Sequence, residues 1–365
     1  MNHSTPDVIT EIRGQIGMIT LNRAKALNAL SLPMVRSLLA TLLEWQGNPQ
    51  VLAVAIRGSH KEGVFGQFCA GGDIRFLHAA ATQGNPELED FFTEEYALNH
   101  LIHTLGKPYI AFMDGIVMGG GMGISQGASL RIVTERSKIA MPETAIGLFP
   151  DVGGGYFLAR CPGHVGEWLA LTGETIGAGD AIAFGLADGF LPSAEQTALW
   201  EALASQSFSS SDQVQIFASA RLDGAVPPAQ NAEQLPAINQ CFGAASVTAI
   251  ESALLQDGSE WALHTAALLR KRSPLMLHVV LEQIRRARGM SLADDLRMER
   301  DMVRHSFFLR PGASETVEGI RALAVDKDRQ PRWNPARIED VTADQWQAFF
   351  TSPWPAHSHP LAQLK

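Results

Sequence analysis

Apolar and polar positions alternate in blocks along this chain, and the blocks change period. Val8 to Ile12 and Gly17 to Leu21 flank a turn at Arg13-Gly14-Gln15, which predicts two short strands joined as a hairpin. After Ser31, a candidate N-cap, apolar residues recur at Leu32, Val35, Leu38, Leu39, Leu42 and Leu43, the stripe of a helix with one face in a core. Val51 to Ile56 is a continuous apolar run ending at Arg57-Gly58, as in a buried strand. Tyr109 to Met113 predicts a further strand, Gly120 to Ala128 a short helix and Leu130 to Val133 another strand. Strands alternating with helices give an α/β fold.

Between these blocks the pattern weakens. The Ala, Thr, Gly and Pro stretch from Ala79 to Pro86 reads as a mobile loop, and the acidic-aromatic segment Glu87 to Tyr96 as the start of a helix. From Pro192 to about Pro236 the chain is rich in Ser, Ala, Gln and Pro, and a domain junction is expected nearby. The resulting division is 1–200 for the core carrying the site and 201–365 for a mainly helical region. In the second part, Ser273-Pro274 opens a helix with Leu277, Val280, Leu281 and Ile284 on its apolar face, and Gly289 closes it. Another helix begins after Ser291, with Leu292, Leu296 and Val303 on one side and the charged Asp294, Asp295, Arg297 and Glu299 on the other. The tail from Trp354 to Lys365 reads as frayed, with His357 and His359 solvated rather than bound to metal.

Composition narrows the function classes. With 365 residues, 46% hydrophobic and 18% charged, the chain suits a soluble globular protein. A net charge of −9 with scattered Lys and Arg argues against a nucleic-acid surface. Cys69, Cys161 and Cys241 are too few and too far apart for a disulfide framework or a zinc site, so no metal is expected and a reducing, cytoplasmic location fits. Met1 to Asp7 lacks the basic start and apolar core of a signal peptide, and no apolar run is long enough to span a bilayer, so the whole chain is read as mature and membrane-free.

The candidate chemistry sits in one stretch. Gly119-Gly120-Gly121 comes after the Ile110-Ala111-Phe112-Met113 strand, and a strand entering a helix through glycines leaves bare N–H groups at the positive end of the helix dipole, where an oxyanion fits. Two carboxylates come next, Glu143 in Pro142-Glu143-Thr144 and Asp151 in Pro150-Asp151, ahead of Gly153-Gly154-Gly155. Together they point to acyl chemistry at a carbonyl. Glu143 precedes the apolar Ile146, Leu148 and Phe149, which suits a dry pocket and a raised pKa. Asp151, before glycines, reads equally well as a helix N-cap.

The segments Phe68-Cys69-Ala70-Gly71-Gly72-Asp73-Ile74 and Asp114-Gly115 to Gly123 resemble the two oxyanion segments of the crotonase superfamily, the enoyl-CoA hydratases and isomerases. Within it, Met141 to Gly155, Phe91 to Tyr96, and Glu318 through Trp333 resemble the branch of thioesterases acting on 3-hydroxyisobutyryl-CoA in valine breakdown. The resemblance runs from about Val8 to Trp346. It implies a crotonase-like spiral of ββα units, with two roughly perpendicular sheets flanked by helices and a helical C-terminal region. The implied activity is hydrolysis of a short-chain 3-hydroxyacyl-CoA, with 3-hydroxyisobutyryl-CoA first among substrates.

The same resemblance implies site roles. The Gly72 and Gly120 amides hold the oxyanion, and Glu143 is general base or nucleophile. Asp151 orients water or the substrate hydroxyl, and Glu95 binds substrate. The Ala70 carbonyl meets the adenine, while Arg75, and more remotely Lys327, neutralise the nucleotide. Coenzyme A is part of substrate and product, so no separate cofactor is implied. The acyl-CoA is the partner, and a homo-oligomer is left open. In enoyl-CoA hydratases a second glutamate occupies the place held here by Gly123, and without it a hydratase lacks one of its two carboxylates. A hydratase or isomerase of the same fold is the alternative reading, and a non-catalytic CoA-binding scaffold a third.

Overall fold

In the computed structural model, residues 6–60, 65–222 and 224–365 are described; the reading of Met1 to Thr5 lies outside them. The strands are β1 (Val8–Arg13), β2 (Ile16–Leu21), β3 (Ala53–Gly58), β4 (Tyr109–Met113), β5 (Ile116–Met118), β6 (Leu130–Val133), β7 (Lys138–Ala140) and β8 (Gly189–Phe190). Six form one sheet in the order β1-β2-β3-β4-β6-β8, and β5 pairs with β7 separately. The β1–β2 hairpin is antiparallel, with Val8 opposite Leu21. The remaining ladders of the large sheet are parallel, with Ile16 opposite Ala53, Val54 opposite Tyr109 and Ile110 opposite Leu130.

The chain divides into two compact units, and it passes back and forth between them. The first comprises Met1–Gly72, Ala97–Ile139 and Ile176–Gln230, and holds the six-stranded sheet. The second comprises Asp73–Tyr96, Ala140–Thr175 and Asn231–Lys365. The Ser/Ala/Gln-rich region supplies two helices of the first unit, Gln196–Ser205 and Ser211–Ser219, and the chain leaves that unit at Gln230.

In the first unit the period-two pattern is realised directly. Ile16 and Met18, Ala53 and Ala55, Ile110 and Phe112, and Leu130 and Ile132 all pack into one core cluster, as alternate residues on one sheet face must. The helices Gln196–Ser205 and Ser211–Ser219 cover that cluster with Leu199, Trp200, Leu203, Val214 and Ala218. Trp200 is fully buried and meets Phe112 at 5.5 Å and Phe65 at 5.9 Å, edge to face. The Arg57 guanidinium stacks over its ring at 4.1 Å.

From Asn231 onward the second unit is helical. Its Pro274–Ala287 helix begins as expected, with the Ser273 hydroxyl accepting the Met276 N–H at 3.3 Å. The Leu292–Phe308 helix is capped in the same way by Ser291. Two expectations fail. The stretch from Ala79 is not a loop, because the helix Ile74–Gln83 runs through its alanines and ends only where Gly84 turns left-handed at φ 66°. His359 in the tail is buried rather than solvated, with Nε2 3.3 Å from Asp301 Oδ1 and its ring against Trp354.

Trp200→Ala is expected to lower the unfolding free energy by about 3–5 kcal/mol, through lost burial and the cavity left between sheet and helices. Chemical denaturation followed by far-UV circular dichroism reads this, and a loss under 1 kcal/mol contradicts the packing described.

Candidate active site

Two sets of residues foreseen from sequence are assembled, one in each unit. In the first unit the Phe68–Gly72 segment runs alongside β5. The Phe68 N–H donates to Asp114 O and the Cys69 N–H to Ile116 O, both at 2.9 Å, and the Met118 N–H returns to Cys69 O at 3.0 Å. On its other side Leu30 N–H donates to Gly71 O at 2.8 Å and Ala70 N–H to Leu27 O at 3.1 Å. Gly71 sits at φ 105°, and a Cβ there would lie 3.8 Å from the Gly120 nitrogen. Gly72 and Gly120 are therefore carried on adjacent segments.

Gly120 is the first residue of the helix Gly120–Gln126, whose Gly119 carbonyl accepts the N–H groups of Met122 at 2.8 Å and Gly123 at 3.1 Å. Gly121 allows the close approach, since any Cβ there would stand 2.3 Å from the Cys69 carbonyl oxygen. Gly123 is buried within the same helix. Ala70 is half-buried on this loop.

The acids lie in the second unit. Glu143 opens the 3-10 turn Glu143–Ile146 and is 6% exposed. Leu148 N–H donates to the Glu143 carbonyl at 3.0 Å, and Thr144 is tied down by the Ser273 N–H at 3.1 Å. Asp151 is 5% exposed and accepts the Tyr96 hydroxyl proton at 2.9 Å through Oδ2. Glu95, 2% exposed, sits beside Tyr96 well inside the helix Glu87–His103, so a first-turn dipole role does not explain it. Arg75 is exposed in the first turn of Ile74–Gln83, away from any buried role.

The electrostatics make these three carboxyls one group. Burial is the main cause that lifts each, and the charge of Asp151 pushes Glu95 and Glu143 further up, both well above the ordinary glutamate range. Asp151 is raised to about 6, less than burial alone would do, because the Tyr96 hydroxyl and its own backbone favour the charged form. Glu143 Oε2 and Glu95 Oε1 are buried with no hydrogen-bond partner. An unpaired, desolvated carboxyl is a costly arrangement, of the kind found where chemistry is done.

Sequence reasoning missed what supports Asp151. Its side chain does not cap the helix Gly154–Leu158; Gly153, at φ 86°, is the N-cap, and Asp151 contributes only its carbonyl, accepting Gly154 N–H at 2.8 Å. The open N–H groups are taken instead by two acids from the charged side of the amphipathic pattern. Glu299, fully buried, accepts Gly153 N–H at 2.7 Å and Gly155 N–H at 2.9 Å. Asp295, also fully buried, accepts Tyr156 N–H at 2.8 Å. Their burial reflects backbone donors that arrive from far away in the chain, which helical periodicity does not register. A methyl group on Gly155 would lie 2.3 Å from Asp295 Oδ1, so the third glycine is required by this contact.

The chain is similar to proteins of known name and structure along nearly its whole length. The model of the enoyl-CoA hydratase/isomerase family matches residues 16–350. The mitochondrial 3-hydroxyisobutyryl-CoA hydrolase of Rattus norvegicus is 40% identical over 357 residues, covering 95% of this chain and 89% of the rat protein. The enzyme of that name from Homo sapiens is 38% identical over 355 residues, covering 95% of this chain and 89% of its own. Among solved structures, a carnitinyl-CoA dehydratase from Mycobacterium thermoresistibile superposes with a TM-score of 0.89 at 36% identity, covering 99% of this chain and 100% of that one. An enoyl-CoA hydratase from Rhodobacter sphaeroides gives 0.85 at 36% identity, covering 95% and 98%.

Folding raises the Asp151 pKa, so this group favours the native state below its unfolded value and the advantage is lost as pH rises through about 6. Asp151→Asn is therefore expected to stabilise the protein by about 1–3 kcal/mol at pH 8 and to change little at pH 4. Thermal unfolding at the two pH values reads the difference, and equal effects at both contradict it.

Proposed function

The chain belongs to the enoyl-CoA hydratase/isomerase family, and from that premise we propose that it hydrolyses the thioester of 3-hydroxyisobutyryl-CoA to 3-hydroxyisobutyrate and free coenzyme A. The observation that carries the reading is full-length identity near 40% to relatives of that name, in a chain that buries an acid pair, Glu143 and Asp151. The reaction places it in valine breakdown.

In this reading the Gly72 and Gly120 N–H groups take the negative charge that develops on the thioester oxygen. A preorganised donor of this kind contributes roughly 10²–10³ in kcat. Glu143 supplies the attack, either by removing a proton from water or by bonding to the carbonyl carbon as a transient anhydride that water then opens. Desolvation makes it a stronger base than a solvated glutamate, which suits both routes. Thiolate leaves and is protonated to free coenzyme A. Asp151, with Tyr96 donating to it, holds water or the substrate 3-hydroxyl, and Glu95 binds that same end of the acyl group. The Ala70 carbonyl and Arg75 serve the nucleotide. No separate cofactor takes part.

A hydratase or dehydratase is the second reading, favoured by the names of the two structural relatives. Against it stands Gly123, because adding water across a double bond calls for a second carboxylate where this chain has none. The partner is thus a small acyl-CoA. No helix among the described residues is long and apolar enough to cross a membrane. The relatives' names carry a mitochondrial location, while the three free, buried cysteines suit any reducing compartment; for this chain we propose the cytoplasm. A homo-oligomer is proposed on family grounds alone.

Thiol release from 3-hydroxyisobutyryl-CoA tests the reading. Glu143→Gln is expected to lower kcat by about 10³-fold or more with the fold intact. Single turnover in heavy-oxygen water separates the two routes, since label enters the Glu143 carboxyl only if the anhydride forms. Loss of the ultraviolet absorbance of an unsaturated acyl-CoA without thiol release would establish a hydratase instead.

A further inference from the structure

Asp151 is held at both ends of a strained turn, and the holding groups come from two distant helices. Val152, the next residue, has φ 58°, a left-handed conformation that a β-branched residue rarely adopts, and Gly153 has φ 86°. Such a turn persists only when its surroundings over-determine it. Here the Gln283 amide donates to Pro150 O at 2.7 Å on the near side of Asp151 and to Glu299 Oε1 at 3.1 Å. Glu299 in turn accepts Gly153 N–H and Gly155 N–H, one on each carboxyl oxygen, on the far side.

Glu299 is also set rigidly against the helix that supplies Tyr96. Its neighbour Arg300, 1% exposed, donates to Thr93 Oγ1 at 3.0 Å and forms an ion pair with Glu89, both on the part of Glu87–His103 that leads to Glu95 and Tyr96. One short stretch of the Leu292–Phe308 helix therefore fixes the backbone around Asp151 and the element that donates to its carboxylate.

We propose that Glu299 is a positioning residue for the reaction, holding Asp151 at its working place through two-oxygen acceptance of the Gly153 and Gly155 amides, with Gln283 clamping the other side of the turn. The inference rests on the role given to Asp151 above. It assigns no contact between Glu299 and substrate. A carboxyl has two oxygens to offer, whereas the nearly isosteric amide of glutamine has one, so Glu299→Gln leaves one of three converging N–H donors facing another N–H. The turn then relaxes, and Asp151 moves with it.

The test is steady-state thiol release in a double-substitution cycle on the full chain. Glu299→Gln is expected to lower kcat by about 10- to 100-fold, the effect of misplacing a reacting group by about 1 Å, with KM changed less than threefold. In a protein already carrying Asp151→Asn, adding Glu299→Gln is expected to change the residual kcat by less than twofold, because what it positions is gone. If Glu299→Gln fails to fold by circular dichroism, Gln283→Leu takes its place, with a smaller, several-fold loss in kcat that likewise vanishes beside Asp151→Asn. Wild-type kcat in the tested single variant, or losses that simply multiply in the double variant, overturns the proposal. If Asp151→Asn is impaired and Glu299→Gln is not, only this inference falls. If Asp151→Asn turns over like wild type, the role given to Asp151 falls and takes the inference with it.

Discussion

Burying carboxyl groups away from water is the constraint around which the second unit is organised. Five acids, Glu95, Glu143, Asp151, Asp295 and Glu299, are nearly or wholly inaccessible, and the ionised form of each is penalised by the loss of hydration. The structure meets that penalty with backbone and hydroxyl donors. Gly153, Gly155 and Tyr156 give their N–H groups to Glu299 and Asp295, and Tyr96 gives its hydroxyl to Asp151. Glu143, Glu95 and Asp295 each keep one buried oxygen outside this scheme.

The first unit solves a different problem with little charge. Its mostly parallel sheet is apolar on the face that meets the Gln196–Ser205 and Ser211–Ser219 helices, and the Phe68–Gly72 segment hydrogen-bonds to Asp114, just past β4, and to β5. Rigid strands thereby present flexible residues. Gly121 supplies a close backbone approach that a side chain would block, and Gly71 a positive φ that a side chain would strain, so the shape of the loop comes from its glycines.

Much of this was legible in the sequence because it is local. The hairpin, the strands at Tyr109 and Leu130, the helix caps at Ser273 and Ser291 and the glycine turns each rest on a few neighbouring residues. Glu143 and Asp151 were singled out by their place between glycine segments together with the family resemblance. What was not legible depends on long-range pairing. Asp295 and Glu299 lie on the charged side of an amphipathic pattern, and only backbone donors some 140 residues earlier, at 2.7 to 2.9 Å, explain why that side is buried. Tyr96 meets Asp151 55 positions away, another contact without a sequence signature. The alanines after Ala79 were misread because small residues suit both loops and helices, and the position of Gly84 decides between them.

The interleaved path of the chain has a consequence for its synthesis. The Gly153–Tyr156 turn emerges from the ribosome long before the helix Leu292–Phe308 that receives its N–H groups, a separation of 146 residues for Gly153 and Glu299. Until that helix arrives, the nascent turn has only water as an acceptor, and loop closure over such a span is slow and entropically costly. A message cut short anywhere before Glu299 thus yields a product whose acidic segment is translated yet left without its scaffold. The Leu292–Phe308 helix is therefore needed before the Gly153 and Gly155 N–H groups can find their carboxylate partner.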